Sequence, residues 1–394
     1  MNRVVAALFA ALTVVESGCV NAGASAKPVD APVPMSDTTP CHPPTVPISQ
    51  SALPVGSTCV FYRGRDYGSE AQFNPITEIL NEGFDQLRVD NSERRLRRLR
   101  YLPGAKNVLQ ALIHPDSAMR AYGVRKAFTD ELLPLSTKAT NGGNWVPNYE
   151  FHLIGSGMVS RRMTEWYEAH DVPYPFAMSA VTMYTAHFIN EALEDGGRKT
   201  RGHPFDPVAD LYVFDLGGIL MFRSKNVQNF FSKKVELTNW PGQATFGFPG
   251  FTLENAGQEF LLRTGLPRTD IWRVFFAFGI STLGGISYGT KGGTALSLAS
   301  GVDAVDTPVV DSLSGKKTVV LKPNAGLFID HDGSLLFSLT ARNSKETIAT
   351  ANLYPGVVRV GGHTFGLWTQ MLKNGRWRVG LVASNGIGIG TSAR

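Results

Sequence analysis

The chain reads as α+β: an N-terminal and central helical unit packed with a C-terminal antiparallel β-barrel or strongly curved sheet. Three observations predict this class. Apolar residues recur at helical spacing through the first part of the chain and at a spacing of two after about Ser232. Asp332-Gly333 and Asn374-Gly375 stand between alternating runs as two-residue hairpin signals. Composition agrees: 43% hydrophobic, 10% aromatic, only 18% charged and 41 Gly suit β-structure close to a membrane.

The first residues read as an export signal over 1–18, with Arg3 as the positive start and Val4 to Val15 as a short apolar run. Ser17-Gly18-Cys19 resembles a bacterial lipobox, in which the cysteine is lipidated. Glu16 departs from that pattern, and cleavage after Ala24-Ser25-Ala26 is the alternative. Of the 3 Cys, either route leaves Cys41 and Cys59 as a pair able to form one disulfide in an oxidising compartment. Residues 19–70 are then expected to be a flexible tether.

A helical domain over 71–225 follows. Asn74-Pro75 opens its first helix as N-cap and first helical residue, with Ile76, Ile79, Leu80, Phe84 and Leu87 on one face. Arg94 to Arg100 holds five Arg around Leu96 and Leu99, either a basic turn lying on anionic headgroups or a solvated face paired with acids. A second helical stretch runs from Lys106 to Leu133, broken at His114-Pro115. Three central helices are expected at about Asn148 to His170, Pro175 to Asp195 and Pro207 to Phe222, with Asp206 as cap of the third. None carries the ~20 uninterrupted apolar residues of a membrane span.

The β domain, 226–394, shows its period in Trp272 to Ser281, Leu335 to Arg342 and Arg376 to Ser384, each expected to be a half-buried strand. The turns predict that Ile329 pairs back toward Leu335 and Leu372 toward Trp377. Such strands suit an outer-membrane barrel, or a soluble barrel or curved sheet covering the helices.

Candidate chemistry lies in the central helices. His187, Glu191 and Glu194 share one helix face at i, i+4 and i+7, and Asp206 and Asp210 sit four apart at the next helix start. With His152 in the same crevice, the set could ligate a metal or form an acid/base pair, with His152, Glu191 and Asp210 as catalytic candidates. Neither HExxH nor paired ExxH is present, so no metal or cofactor is expected. The competing reading is a polar network in which His152, His187, Glu191 and Glu194 cross-link the helices with Arg161 and Arg162. Gly155-Ser156-Gly157 lacks the spacing of a nucleophile elbow and is read as a close helix crossing.

Asn148 to Gly157, with its Asn and His before a small-residue run, resembles the start of an uncharacterised domain of bacterial envelope proteins. Glu191 and Glu194, then Pro207, Asp210 and Gly217-Gly218, continue that pattern. The order of His, Glu and a helix bearing Asp and Gly is also distantly similar to VanZ-type membrane proteins. The likeness spans about residues 145–223, carries no reaction, and implies an outer-membrane-associated protein.

The formal charge of +5 and the lack of binding motifs give no sign of nucleic acid. The expected role is an exported, lipid-anchored protein of the outer membrane or periplasm. Its partners would be membrane lipid or outer-membrane components, and its task structural or the binding of lipid or a hydrophobic ligand. The alternative is a membrane-associated hydrolase using His152, Glu191 and Asp210.

Overall fold

The computed structural model describes residues 59–88, 93–133, 148–197, 204–269, 271–310, 317–342, 344, 346–360, 363–384 and 386–392. The export signal, Cys19 and Cys41 lie outside the described residues, so the lipidation and disulfide expectations are not addressed there. The expected tether ends earlier than 70. Cys59, Phe61 and Tyr62 are buried in the main core, because an apolar run of that kind gains more from burial than from solvation.

The helical unit is α+β's first half. Helix α1, Pro75–Gly83, opens on a capping box: Asn74 accepts from the backbone of Ile76 and Thr77, and Thr77 Oγ1 accepts from the Asn74 N–H. Helices α2, Tyr101–Ile113, and α3, Pro115–Tyr122, are separated at His114-Pro115 as expected, although α2 starts before Lys106. The central helices are α4, Asn148–Ser156, continuing into α5, Gly157–Ala169; then α6, Pro175–Gly197; α7, Ala209–Asp215; and α8, Leu216–Met221. Both α4 and α7 have the wide i→i+5 turn, a geometry that is rare and concentrated at functional sites. Phe205, not Asp206, occupies the cap position before the short turn Asp206–Val208, so Asp206 stands inside the helix start.

Helical turns continue to Lys234, beyond the expected boundary at 225. The strands are β1 Thr238–Asn239, β2 Thr245–Phe248, β3 Thr252–Glu254, β4 Glu259–Gly265, β5 Trp272–Gly279, β6 Ser281–Gly289 and β7 Thr294–Val310. They continue as β8 Lys317–His331, β9 Ser334–Arg342, β10 Thr347–Val360, β11 His363–Leu372, β12 Trp377–Ala383 and β13 Gly388–Ser392. They form one 13-stranded sheet in the order β1-β4-β5-β6-β7-β8-β9-β10-β11-β12-β13-β2-β3, antiparallel except at β13·β2.

The ladder does not run back on itself, so the expected barrel is not formed as a continuous hydrogen-bonded ring. Its ends are β1 and β3, two and three residues long. They stay short because β2 leaves the line of β1 after Trp240-Pro241, where the proline has no N–H to donate, and β3 folds onto the remaining edge of β2.

Both hairpin registers differ from expectation by a residue or two. Ile329 faces Phe337 because a bulge follows the tight Asp330↔Leu335 pair, and Trp377 faces Met371 because Leu372 closes the turn itself, its N–H donating to the Arg376 carbonyl and its carbonyl accepting from Gly375.

The structure gives the faces that alternation leaves open. Along β7 the leucines point outward, Leu296 and Leu298 being 42% and 52% exposed while Ser297 between them is 0%; in β5 Trp272 and Val274 are exposed and Phe275 and Ala277 are buried. Val379 and Leu381 are likewise exposed, with Gly380 and Val382 buried.

Two of the four buried apolar clusters among the described residues involve the sheet most directly. One joins Met158, Val159, Met163, Tyr167 and Met183 of the helices to Phe260 and Phe278 of the sheet. The other gathers Trp240 with Leu261, Phe275, Leu283, Ala299, Phe328, Leu335 and Tyr354, and so takes residues from β4 through β10. Of the basic stretch, Leu96 and Leu99 pack inward, Arg94 pairs with Glu254 and Arg95 with Glu93, which is the solvated, acid-paired alternative.

Candidate functional site

Small residues let the central helices approach closely enough for short polar side chains to meet. A Cβ added to Gly157 would fall 2.9 Å from Gly218 Cα, and one on Gly218 would fall 2.5 Å from the Leu153 carbonyl. The Gly155-Ser156-Gly157 stretch is therefore the close crossing that was expected. It carries His152 of α4, His187 and Glu191 of α6, and Asp210 and Asp215 of α7 toward one another.

Two groups share His152. In the first, His152 Nδ1 lies 2.8 Å from Asp215 Oδ1, and the other oxygen of Asp215 binds His187 Nδ1. His187 Nε2 is 2.7 Å from Glu82 Oε1, and Ser156 Oγ donates to the same oxygen at 2.6 Å while lying 3.0 Å from that nitrogen. In the second, His152 Nε2 faces Asp210 Oδ2 at 3.7 Å, and one atom each of His152, Glu191 and Asp210 lie within 4.8 Å of one another. His187, Glu191, Asp210 and Asp215 are each at most 4% exposed, and the His152 side chain is 17% exposed.

The electrostatics of the two groups are opposite. Burial disfavours a charged His187, but Asp215 and Glu82 on either side outweigh it and hold its pKa well above the ordinary histidine range. Asp215 is likewise penalised by burial, yet the flanking His187 and His152 bring its pKa below the usual carboxylate value. This group is a matched acid–imidazolium chain. The second has too many acids: burial first, then Asp210, Asp206 and Glu194, push Glu191 well up, and burial with Asp206, Asp215 and Glu131 does the same to Asp210. Asp210 Oδ1 is buried and accepts no hydrogen bond.

Ser156, His187 and Asp215 have the order of an acyl-transfer triad, and their chemistry opposes that use. A base must have a free nitrogen beside the hydroxyl, whereas His187 donates through both nitrogens and Ser156 gives its proton to Glu82. The group fixes the helices; it does not activate the serine.

Of the residues expected at the site, His152, His187, Glu191 and Asp210 meet, and Glu194 and Asp206 stand close enough to act on the carboxylates electrostatically. Arg161 and Arg162 do not belong to it. Arg161 pairs with Glu165, which also accepts the backbone N–H groups of Val60, Phe61 and Tyr62 at 2.7–2.9 Å. Arg162 pairs with Glu70 and stacks on Phe73 at 3.8 Å. One helical turn's difference in direction separates them from the acids, and residue spacing alone does not define where a long arginine points.

Glu82, Ser156 and Asp215 are partners that sequence reasoning left out of the site. Asp215 follows His152 and Asp210 on the same patterned stretch and was open to inclusion. Glu82 lies 105 residues from His187, and no local signal joins them.

A second polar region lies in the sheet. A cavity of about 120 Å³ is bordered by Arg88, Glu259, Ser281, Asn324, Arg342 and Asn352 among others. Comparison with protein families, with curated proteins and with solved structures finds no match to this chain. The resemblance to the envelope domain and to VanZ-type proteins thus stands on the quoted residues.

Proposed function

We propose that this is an exported envelope protein whose sheet is curled into a barrel-like body lying in the outer membrane. Lipid would bathe the apolar outer side, with the helical unit packed against the body. The observation that carries this reading is the inverted sheet. Ile286, Leu296, Leu298, Leu321, Leu367, Leu381 and Ile389 are 42–68% exposed, while Ser287, Ser297, Asp303, Asn324 and Asp330 are at most 5% exposed. In water this arrangement forgoes apolar burial on the outer side; in a bilayer that side is solvated by lipid, while the inward polar groups keep their partners inside the sheet. Exposed Trp272 and Tyr288 at one end of the strands, and Trp377 at the other, suit the two interfacial belts.

Connectivity supports the curl. Residues 240–244 alone separate β1 from β2, although ten strands stand between them in the sheet order. Five linking residues reach about 20 Å, whereas a flat sheet would hold those strands about 50 Å apart. The shared core of β4 through β10 points the same way. The role within this reading is structural or lipid-contacting. Among the described residues no helix is long and apolar enough to cross a membrane, which leaves the sheet as the embedded part. Lipidation at Cys19 and a Cys41–Cys59 disulfide belong to the same proposal.

Fractionation tests it. The protein should stay with outer membranes through carbonate and urea washes and leave only with detergent. Release into the soluble fraction by carbonate, from a chain whose Cys19 is replaced, would remove the embedded sheet from the account.

A further inference from the structure

We propose that His152, Glu191 and Asp210 form a binding site for one divalent first-row transition ion, such as zinc or manganese, held between α4, α6 and α7. The inference is independent of membrane placement.

The donor set has the right chemistry. One imidazole nitrogen and two carboxylates are borderline-to-hard ligands that suit these ions, and three protein ligands leave a position for water or another group. The geometry is within a small adjustment of coordination. Ligand atoms at about 2.1 Å from a common ion stand about 3–3.5 Å apart; His152 Nε2 is 3.7 Å from Asp210 Oδ2, and one ligand atom of each of the three residues lies within 4.8 Å of the others.

Two further observations point to a ligand. Asp210 is 4% exposed, and while its Oδ2 faces His152 its Oδ1 is buried and accepts no hydrogen bond, so the carboxylate keeps an unused acceptor at the cluster. His152 is also oriented from behind: its Nδ1–H donates to Asp215 Oδ1 at 2.8 Å, which leaves the Nε2 lone pair facing Asp210 and Glu191. A carboxylate behind the imidazole is the arrangement that fixes tautomer and ring direction in metal-binding histidines.

His187 cannot be a fourth ligand while both its nitrogens are bound to Asp215 and Glu82. Its part is to hold Asp215, which then positions His152.

The test uses full-length protein, purified from whichever fraction contains it, stripped with chelator and dialysed. Zinc and manganese are then titrated separately by calorimetry, with metal content counted after desalting. The expected result is one equivalent bound and a higher melting midpoint in the presence of metal. Asp210→Asn should weaken binding by at least about tenfold, and His152→Ala by as much or more.

Asp210→Asn keeps the side-chain shape and removes one repelling charge, so it should fold, which near-ultraviolet circular dichroism checks. Asp116→Asn on the exposed α3 should bind as wild type does. A folded wild-type protein that takes up neither ion in the micromolar range would overturn the proposal. So would His152→Ala and Asp210→Asn proteins that bind as tightly as wild type.

Discussion

The sheet interior and the crossing of α4, α6 and α7 both bury ionised groups, but they balance them differently. Inside the sheet the buried acids Asp330 and Asp303 each have an arginine: Arg263 with Asp330 at 2.7 and 3.0 Å, Arg342 with Asp303 at 2.7 Å. At the helix crossing the His187 chain is matched, whereas Glu191 and Asp210 meet the half-buried His152 among the described residues. Matched pairs hold strands in register and ask for nothing more. Where acids crowd together under burial, as Glu191 and Asp210 do, is the place we propose for a bound cation.

The largest effect should come from breaking a matched pair. Arg263→Met leaves Asp330 buried without its partner and should cost about 3–5 kcal/mol, read as a fall in the denaturation midpoint. A loss below about 1 kcal/mol would mean that water already solvates this pair and that the sheet interior is open.

Next comes the outer side of the sheet. Leu298→Lys should cost about 2–4 kcal/mol in a bilayer and reduce the amount of protein recovered in membranes. In water the same change at a 52% exposed position would be nearly neutral, so an unchanged membrane yield speaks against lipid contact.

Gly218→Ala probes the helix crossing. Its new Cβ would meet the Leu153 carbonyl at 2.5 Å, and the helices must part at a cost of about 1–3 kcal/mol. Melting curves should show the loss while the sheet's strand signal persists to the new midpoint.

The smallest expected effect is a difference in slope with pH, measured in chelator. Glu191 and Asp210 have folded pKa values raised above their ordinary 4.5 and 3.8. The folded state therefore keeps protons that the unfolded state has released, and stability falls as pH rises from those ordinary values through the raised ones.

His187 and Asp215 contribute in full between the ordinary values of 3.8 and 6.5. Their contribution is lost below as Asp215 protonates and above as pH passes the raised value of His187. Asp210→Asn should flatten the decline above the ordinary carboxylate values while leaving the acid limb in place. Parallel wild-type and variant curves would show that the carboxylates do not repel each other.

The sequence made the elements legible where local chemistry decides them. Asn74-Pro75 announced a capped helix, His114-Pro115 a break, and alternation a strand, since each depends on neighbours within a turn or two. It was silent on which side of a strand faces in, because alternation has the same form in both directions. Leu296, Ser297 and Leu298 read alike whether the leucines meet a core or a membrane.

The candidate site was legible in part. The i, i+4 relation of His187 and Glu191 put them on one face, but Glu82 came from a distant helix and Arg161 and Arg162 turned to Glu165 and Glu70. Long side chains choose among partners that only the fold brings near.

Lipid contact along β7 tests the central claim most directly. Spin labels placed singly at positions 294–299 in protein embedded in membranes would report collisions with oxygen, which concentrates in lipid, and with a nickel chelate, which stays in water. Labels at 296 and 298 should meet oxygen and exclude the chelate, and those at 297 and 299 should meet little of either. Ready collision of the chelate with positions 296 and 298 would place that side in water and contradict the account.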